Sequence, residues 1–204
     1  MKKIFTLVAC AIVTLGAAAQ VQFGAKVGLN GSHFWGENAP HGLMFGPQVG
    51  VLMEYKFTPN FAIAPEAVFS MQGSSYNKTT TILGIEGKYK VNYNTNYINI
   101  PIMLKYYVSP DFSIDFGPQV GFNVYSKRTQ KEPEKLDAIN MSDYTNTVDF
   151  GLGLGATYSL NEHVFLQARY NLGLTKVYKD IATNIPSLKN AKNGNAQVAI
   201  GFKF

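Results

Sequence analysis

The sequence has few charged residues, one cysteine and a single long apolar run, and each shortage excludes a class of protein. Charged residues make up 15% of the 204 residues, against about 25% in ordinary soluble domains. The lone cysteine, Cys10, excludes an internal disulfide. With only one apolar run, a bundle of membrane-spanning helices is also excluded. The basic residues form no stripe interleaved with aromatics, so nucleic acid is not an expected partner.

The N-terminal residues have the pattern of an export signal. Met1 to Lys3 carry positive charge, residues 4–16 are apolar, and Ala17 to Ala19 are small, as in a cleaved secretory signal. The apolar part is too short for a bilayer, which needs about 20 residues. Cleavage before Cys10, as in a lipoprotein, would leave a still shorter apolar region. We therefore predict a signal peptide over residues 1–19.

The remaining residues, 20–204, form one predicted domain in which apolar and polar side chains alternate. A period of two predicts β-strands whose faces meet different surroundings. The predicted strands are Val21–Leu29, Phe45–Phe57, Phe61–Met71, Ile98–Val108, Phe112–Val124, Val148–Tyr158, Val164–Leu174 and Ala196–Phe204. One face of every strand lacks charge. The other face carries many glycines and the charged residues Lys26, Glu54, Lys56, Glu66, Lys105, Asp115, Asp149, Arg169 and Lys203.

The connections between strands favour a membrane barrel over a soluble one. The tight connections are residues 58–60, 109–111 and 159–163, and the longer ones are residues 33–43, 72–97, 125–147 and 175–195. Short turns at one end and long loops at the other are typical of outer-membrane barrels, which point their apolar face at lipid. Closing the last strand on the first removes open edges that hydrocarbon cannot hydrogen-bond. We predict an all-β fold, an eight-stranded antiparallel up-and-down transmembrane β-barrel.

Aromatic and proline residues add two local expectations. Aromatics near the tight turns predict an interfacial girdle, formed by Tyr55, Phe57, Phe61, Tyr106, Tyr107, Phe112, Tyr158 and Phe165. Proline cannot donate to a strand ladder. The prolines inside predicted strands are therefore expected to mark bulges or strand ends, at Pro47, Pro65, Pro101 and Pro118.

The predicted lumen is just wide enough for side chains. Its nine charged residues, five positive and four negative, predict a packed, ion-paired plug rather than a conducting path. Glu37, His33 and His41 match no known metal-site spacing, so no metal or cofactor is expected.

Three functional hypotheses follow. The leading one is a structural or interaction barrel without catalytic activity, whose exposed loops contact a partner. The second is a lipid-modifying acyl hydrolase or transferase using a Ser–His pair. Ser32 and His33 are adjacent, but neighbouring strand residues face opposite sides, and His163 lies at the far end. The third is a soluble periplasmic barrel that binds an apolar ligand.

Several segments carry a family resemblance. They are the opening Val21–Asn30, the central Tyr97–Tyr107, the repeated Gly46–Gly50 and Gly117–Gly121, the segment Gly151–Gly155 and the terminal Phe204. The chain resembles the PorT-like small outer-membrane β-barrel proteins of Bacteroidota. The resemblance implies an outer-membrane location with periplasmic termini and no catalytic motif. It also implies that Phe204 is the signal read by the barrel-assembly machinery. That machinery, outer-membrane lipid and an envelope protein complex are the expected partners.

Overall fold

The described part of the chain consists almost entirely of strands. The computed structural model describes residues 21–37, 39–82, 85–132, 137–179 and 188–204. The strands are β1 (Val21–Trp35), β2 (Met44–Lys56), β3 (Phe61–Ile82), β4 (Ile85–Ser109), β5 (Phe112–Glu132), β6 (Ile139–Asn140), β7 (Val148–Ser159), β8 (Val164–Lys176) and β9 (Lys192–Lys203). One short 3-10 helix spans Ser142–Tyr144. The predicted signal peptide, residues 1–19, lies outside the described residues.

Eight of these strands close into an antiparallel ring. Each pairs with its chain neighbour, β5 pairs directly with β7, and the two-residue β6 pairs only with β5. The ring is closed by β9 against β1, from Gly24 opposite Lys203 to Trp35 opposite Lys192. The predicted up-and-down barrel is therefore confirmed. No helix within the described ranges is long and apolar enough to cross a membrane.

The two ends of the barrel differ in the length of their connections. At one end the turns span only residues 57–60, 110–111 and 160–163. At the other end the strands run well past the predicted limits. The third predicted strand ends at Met71, whereas β3 and β4 pair as far as Ile82 opposite Ile85. The connection predicted over residues 72–97 is therefore largely a paired hairpin.

The apolar face of every predicted strand points away from the barrel axis. None of its side chains is buried, and Phe45 and Leu154 expose 73% and 59% of their surfaces. Soluble proteins rarely expose apolar patches larger than a few hundred Å². A continuous apolar belt around a closed ring is the surface that lipid requires.

The expectation that prolines mark bulges or strand ends is wrong for the central three. Pro65 pairs with Ile102, Pro101 with Gln119 and Pro118 with Leu152. The register is unchanged on either side of each, because losing one donor interrupts the ladder locally without inserting an extra residue.

Pro47 lies close to the start of β2 and pairs with Leu29 without a register shift. The true irregularities of the β4–β5 pairing lie between Lys90 and Val91, between Asn96 and Tyr97, and between Tyr107 and Ser109.

Six of the eight aromatic residues predicted to form a girdle lie on the outward face near the tight turns. The rings of Phe57 and Phe61 stack at 6.2 Å, and that of Phe61 lies 5.1 Å from the ring of Tyr106. Tyr107 and Phe165 are instead buried and point into the barrel. Their positions in the alternation require this, since consecutive side chains of a strand point to opposite faces.

Candidate functional site

The nine predicted lumen residues lie on the inward face of the barrel wall. Eight are buried: Lys26, Glu54, Glu66, Lys105, Asp115, Asp149, Arg169 and Lys203. Lys56 is half-buried near the tight turns, with its Nζ 4.1 Å from the ring centroid of Tyr107. Inward glycines make room for these long side chains. At Gly153, for example, a Cβ would lie 2.7 Å from Asn171 Oδ1 and 3.5 Å from Arg169 Cδ.

One network of lumen charges is centred on Glu66. Lys26 Nζ donates to its Oε2 at 2.6 Å, and Arg169 donates to both carboxylate oxygens at 2.8 and 2.9 Å. Arg169 Nη2 also lies 3.9 Å from Asp115 Oδ2, while Lys26 donates to Gln167 at 2.7 Å. The two cations and two carboxylates balance, which a buried network needs because an unpaired buried charge is costly.

A second network, nearer the tight turns, is centred on Glu54. Lys105 and Lys203 both donate to its Oε2, at 2.9 and 3.0 Å, and Tyr107 donates to its Oε1. These partners come from β4 and β9, which lie far apart in sequence. The network therefore ties separate parts of the barrel wall together across the lumen.

Two of the nine charged residues do not form the ion pairs that the sequence predicted. Lys56 contacts an aromatic ring instead, and Asp149 accepts a hydrogen bond from Thr175. Within the described ranges neither residue is within ion-pair distance of an opposite charge. An ion-paired plug therefore describes seven of the nine residues.

The residues of the second hypothesis do not form a catalytic pair. Ser32 is buried, donates to the Met44 carbonyl at 3.2 Å and accepts from the Gly73 amide at 2.8 Å. His33 faces the other side of β1, and its ring lies 6.5 Å from that of Tyr170. The Ser32 hydroxyl is thus occupied by backbone groups rather than by an imidazole.

The remaining histidines and Glu37 form no site with this pair. Glu37 is exposed, and His41 Nδ1 lies 3.2 Å from the Phe34 carbonyl. His163 lies at the tight-turn end, 3.0 Å from the Lys203 carbonyl. In the part of the chain that the structure describes, no three His, Cys, Asp or Glu residues are placed to hold a metal ion.

The loop end of the barrel holds an apolar cluster that the sequence pattern does not predict, and we call it the outer cap. Its members are Phe34, Ala39, Val91, Tyr93, Met141, Val177, Tyr178, Leu188 and Ala191. The ring of Tyr178 packs edge-on against Phe34 at 6.0 Å and against Tyr93 at 6.3 Å. Burial raises the pKa of Tyr178, so its hydroxyl stays neutral.

Backbone hydrogen bonds hold the loops of the outer cap together. Val177 accepts from Asn146 and donates to Ala191, both at 2.8 Å. Lys179 donates to the Tyr144 carbonyl at 2.9 Å, which joins the connection after β8 to the 3-10 helix. The cap thus covers the loop end of the lumen with segments from separate parts of the chain.

The sequence contained one signal for the outer cap. On β4 the inward residues Val91 and Tyr93 are apolar, while the outward Asn92 and Asn94 are polar. This is the reverse of the pattern from Ile98 onward. A switch of faces within an unbroken strand indicates that the strand leaves the membrane.

Comparisons with known proteins agree with this architecture. Ail, the attachment invasion locus protein of Yersinia pestis, is 10% identical, with 91% of this chain and 99% of that chain covered at a TM-score of 0.51. Neisserial surface protein A is 13% identical, with coverages of 89% and 97% at a TM-score of 0.50. These identities bear on the fold alone. A search of curated proteins found no match.

A family model extends the comparison to sequence. The model for the outer membrane protein beta-barrel domain matches residues 17–179, which is more than half of the chain. The match spans β1 to β8. It agrees with the closed ring, the lipid-facing belt and the polar lumen. The chain therefore belongs to the outer membrane protein beta-barrel domain family.

Proposed function

We propose that this barrel is a non-enzymatic anchor in the outer membrane that holds a rigid surface for interaction at its outer end. The observation that carries the proposal is the outer cap. Its apolar core packs Phe34 of β1 and Tyr93 of β4 against Val177, Tyr178 and Leu188 of the loops. Loops fixed in this way form a preorganised surface, which lowers the entropy cost of binding a partner.

The same features argue against a channel. The lumen is crossed by the Glu66 and Glu54 networks and is covered by the outer cap. In a planar bilayer we expect no steady conductance comparable to that of a general porin. Such conductance from the purified protein would contradict the closed lumen.

Catalysis has little support from the geometry. The Ser32 hydroxyl accepts a hydrogen bond from the Gly73 amide and donates one to the Met44 carbonyl, and His33 lies on the opposite face of β1. We expect no turnover of a lipid ester by the purified barrel. Turnover that is abolished by Ser32→Ala would contradict a non-enzymatic role. The soluble alternative, a lipocalin-like ligand binder, requires an apolar interior, whereas the interior at strand level is polar.

We place the chain among the PorT-like proteins of Bacteroidota, with a signal peptide cleaved after Ala19 and Phe204 read by the barrel-assembly machinery. Mass measurement of the mature protein tests the cleavage. Deletion of Phe204 is expected to lower the yield of assembled barrel, since this residue directly follows β9, the strand that closes the ring, and its amide donates to the Phe23 carbonyl of β1.

An interaction role is tested by photocrosslinking from single cysteines in whole cells. Tyr144 is exposed at the capped end, and Asn60 is exposed in a tight turn. A probe at Tyr144→Cys is expected to give a discrete adduct with an envelope protein, and the matched probe at Asn60→Cys is not expected to give the same adduct. Identical adducts at both positions, or none at Tyr144→Cys, would contradict a partner at the outer end.

A further inference from the structure

An apolar groove runs along the outward side of the seam where β9 closes on β1. Two overlapping clefts, of about 360 and 680 Å³, share Val27 and Ile200 in their lining. A third cleft, of about 300 Å³, shares part of its lining with the second and continues towards the loops. From Ala25 to Gly31 the groove is about 20 Å long, since a strand advances about 3.3 Å per residue. An extended acyl chain therefore fits along the seam.

The outer end of the groove has a floor of small residues between two aromatic walls. Gly31 of β1 pairs with Ala196 of β9. On the next strand at either side, Phe45 of β2 pairs with Gly31, and Tyr170 of β8 pairs with Ala196. Both rings lie on the outward face and are exposed. Large rings on both sides of a small floor direct an elongated apolar ligand along the seam rather than across it.

Polar groups lie on the outward face just beyond this floor, towards the loops. A Cβ at Gly194 would lie 2.8 Å from the Tyr170 hydroxyl and 3.0 Å from His33 Nε2, so these two polar atoms lie close together. Neither forms a hydrogen bond within the part of the chain that the structure describes. His33 is half-buried, and Tyr170 is 41% exposed. Both side chains can therefore contact a ligand at the end of the groove.

A lysine and the chain's single tryptophan follow at the next outward position of the seam. Lys192 of β9 lies opposite Trp35 of β1, and its Nζ is 4.8 Å from the centroid of the tryptophan ring. Among the described residues, no carboxylate is within ion-pair distance of Lys192. Tryptophan is enriched where a membrane meets water. The sequence of surfaces along the seam is thus apolar, then hydrogen-bonding, then cationic, which is complementary to a lipid with an anionic head group.

We propose that the β1–β9 seam binds one phosphate-bearing lipid of the surrounding membrane, with an acyl chain in the groove and the phosphate at Lys192, His33 and Tyr170. The ammonium of Lys192 neutralises the phosphate, and the imidazole and the hydroxyl donate hydrogen bonds to its oxygens. Basic residues at the membrane surface favour anionic lipids. A zwitterionic lipid binds more weakly, because its own ammonium would lie beside Lys192.

The fluorescence of Trp35 tests the site directly, because it is the only tryptophan in the chain. The purified barrel is placed in phosphatidylcholine nanodiscs that contain a small fraction of lipid with brominated acyl chains, which quench a neighbouring indole. Brominated phosphatidic acid is compared with brominated phosphatidylcholine. We expect half-maximal quenching at about a tenfold lower fraction of phosphatidic acid.

Variants separate the seam from a general attraction of anionic lipid. Lys192→Gln is expected to remove the preference for phosphatidic acid. Ala196→Phe keeps the lysine but fills the floor of the groove, and it is expected to remove most of the preference too. The matched control is Lys127→Gln, since Lys127 lies 6.0 Å from the ring centroid of Tyr125 on β5, across the barrel from the seam. This variant is expected to quench as the wild type does.

Each of four outcomes would overturn the proposal. Equal quenching of the wild type by the two brominated lipids would exclude an anionic head group at the seam. An undiminished preference in Lys192→Gln, or its loss in Lys127→Gln, would make the attraction a general one. Reversal of the quenching by inorganic phosphate would show that the groove contributes nothing. A second copy of the chain seated on the groove would protect Trp35 from both lipids and would appear as a dimer in native mass spectrometry.

Discussion

The membrane-spanning part and the outer part of this barrel are built with opposite polarity, although the same strands run through both. At membrane level the inward side chains are ionised and the outward ones apolar, as for Lys105 and Ile102 of β4. In the outer part of β4 the inward Val91 and Tyr93 are apolar, and the outward Asn92 is polar. The outward side chains of a strand therefore match the medium that they contact. They are apolar where they face lipid and polar where they face water.

The boundary between the two regions coincides with a bulge. Asn96 pairs with Tyr125, and Tyr97 pairs with Asn123, so β5 has an extra residue, Val124. Val124 and Tyr125 are both exposed although they are consecutive. A bulge reverses the alternation of the bulged strand beyond it. On β5 it returns Ser126 to the interior.

The largest expected effect is the loss of the central ion pair in the membrane region. Glu66→Gln leaves Lys26 and Arg169 buried without their shared carboxylate. Breaking a buried pair in this way is expected to lower the free energy of unfolding by about 3–5 kcal/mol. Urea unfolding in lipid vesicles measures this change in the free energy of unfolding. Glu162→Gln, at an exposed turn residue, is the control. An equal loss of unfolding free energy in both variants would contradict a stabilising role for the buried ion pair.

A somewhat smaller effect is expected in the outer cap. Phe34→Ala leaves a cavity beside Tyr178 and is expected to cost about 3 kcal/mol. Because the cavity lies outside the membrane, the loss is expected to appear as proteolysis of the outer loops while the barrel core stays protected. Phe45→Ala, on the lipid-facing side of β2, is the matched control. Cleavage of the loops in the control as well would show that the cap is not what holds them.

A lysine introduced at two positions on the outward face of β4 compares the membrane-spanning part of the barrel with its outer part. Ile102 lies in the middle of the apolar belt, and Asn94 lies eight positions towards the loops on the same face. Ile102→Lys is expected to destabilise by about 2–4 kcal/mol, because the charge enters hydrocarbon. Asn94→Lys is expected to change stability by less than about 0.5 kcal/mol. Similar losses of stability in the two variants would contradict a membrane boundary between Asn94 and Ile102.

The smallest effect is expected at Ser32. Ser32→Ala leaves the buried Gly73 amide without its acceptor and is expected to cost about 1–2 kcal/mol. Thermal unfolding measures the loss. Ser142→Ala, which removes a hydroxyl that accepts from the Ser126 amide in the outer part, provides a comparison in the more exposed region. A gain in stability for Ser32→Ala would contradict the structural role given to this hydroxyl.

The sequence predicted the barrel because hydrocarbon imposes a strict alternation on each spanning strand. That constraint ends at the membrane boundary. Strand limits such as Leu29 and Met71 were therefore too short, since β1 and β3 continue to Trp35 and Ile82 on a different pattern. The prolines were misjudged because a strand within a closed ladder can tolerate a missing donor without a shift in register.

The lumen was predictable only in part. The alternation assigned Glu66 and Asp149 to the same face, and both are buried there. Which charges pair depends on strand height and stagger, which the sequence does not specify. Glu66 therefore meets two cations, whereas Asp149 accepts a hydrogen bond from the neutral Thr175 and has no ion-pair partner among the described residues. The outer cap was missed because most of its members come from loops, where no period links Tyr178 and Leu188 to Phe34.

A nitroxide scan of β4 from residue 91 to residue 106 tests the reversal of polarity most directly. Labels at Ile98, Ile102 and the other even positions of the belt are expected to collide with oxygen dissolved in lipid. Labels at Asn92, Asn94 and Asn96 are expected to collide with a water-soluble nickel reagent, and odd positions with neither. Lipid exposure that continues unchanged from Ile102 through Asn92, or lipid exposure at Tyr93 and Lys105, would contradict it.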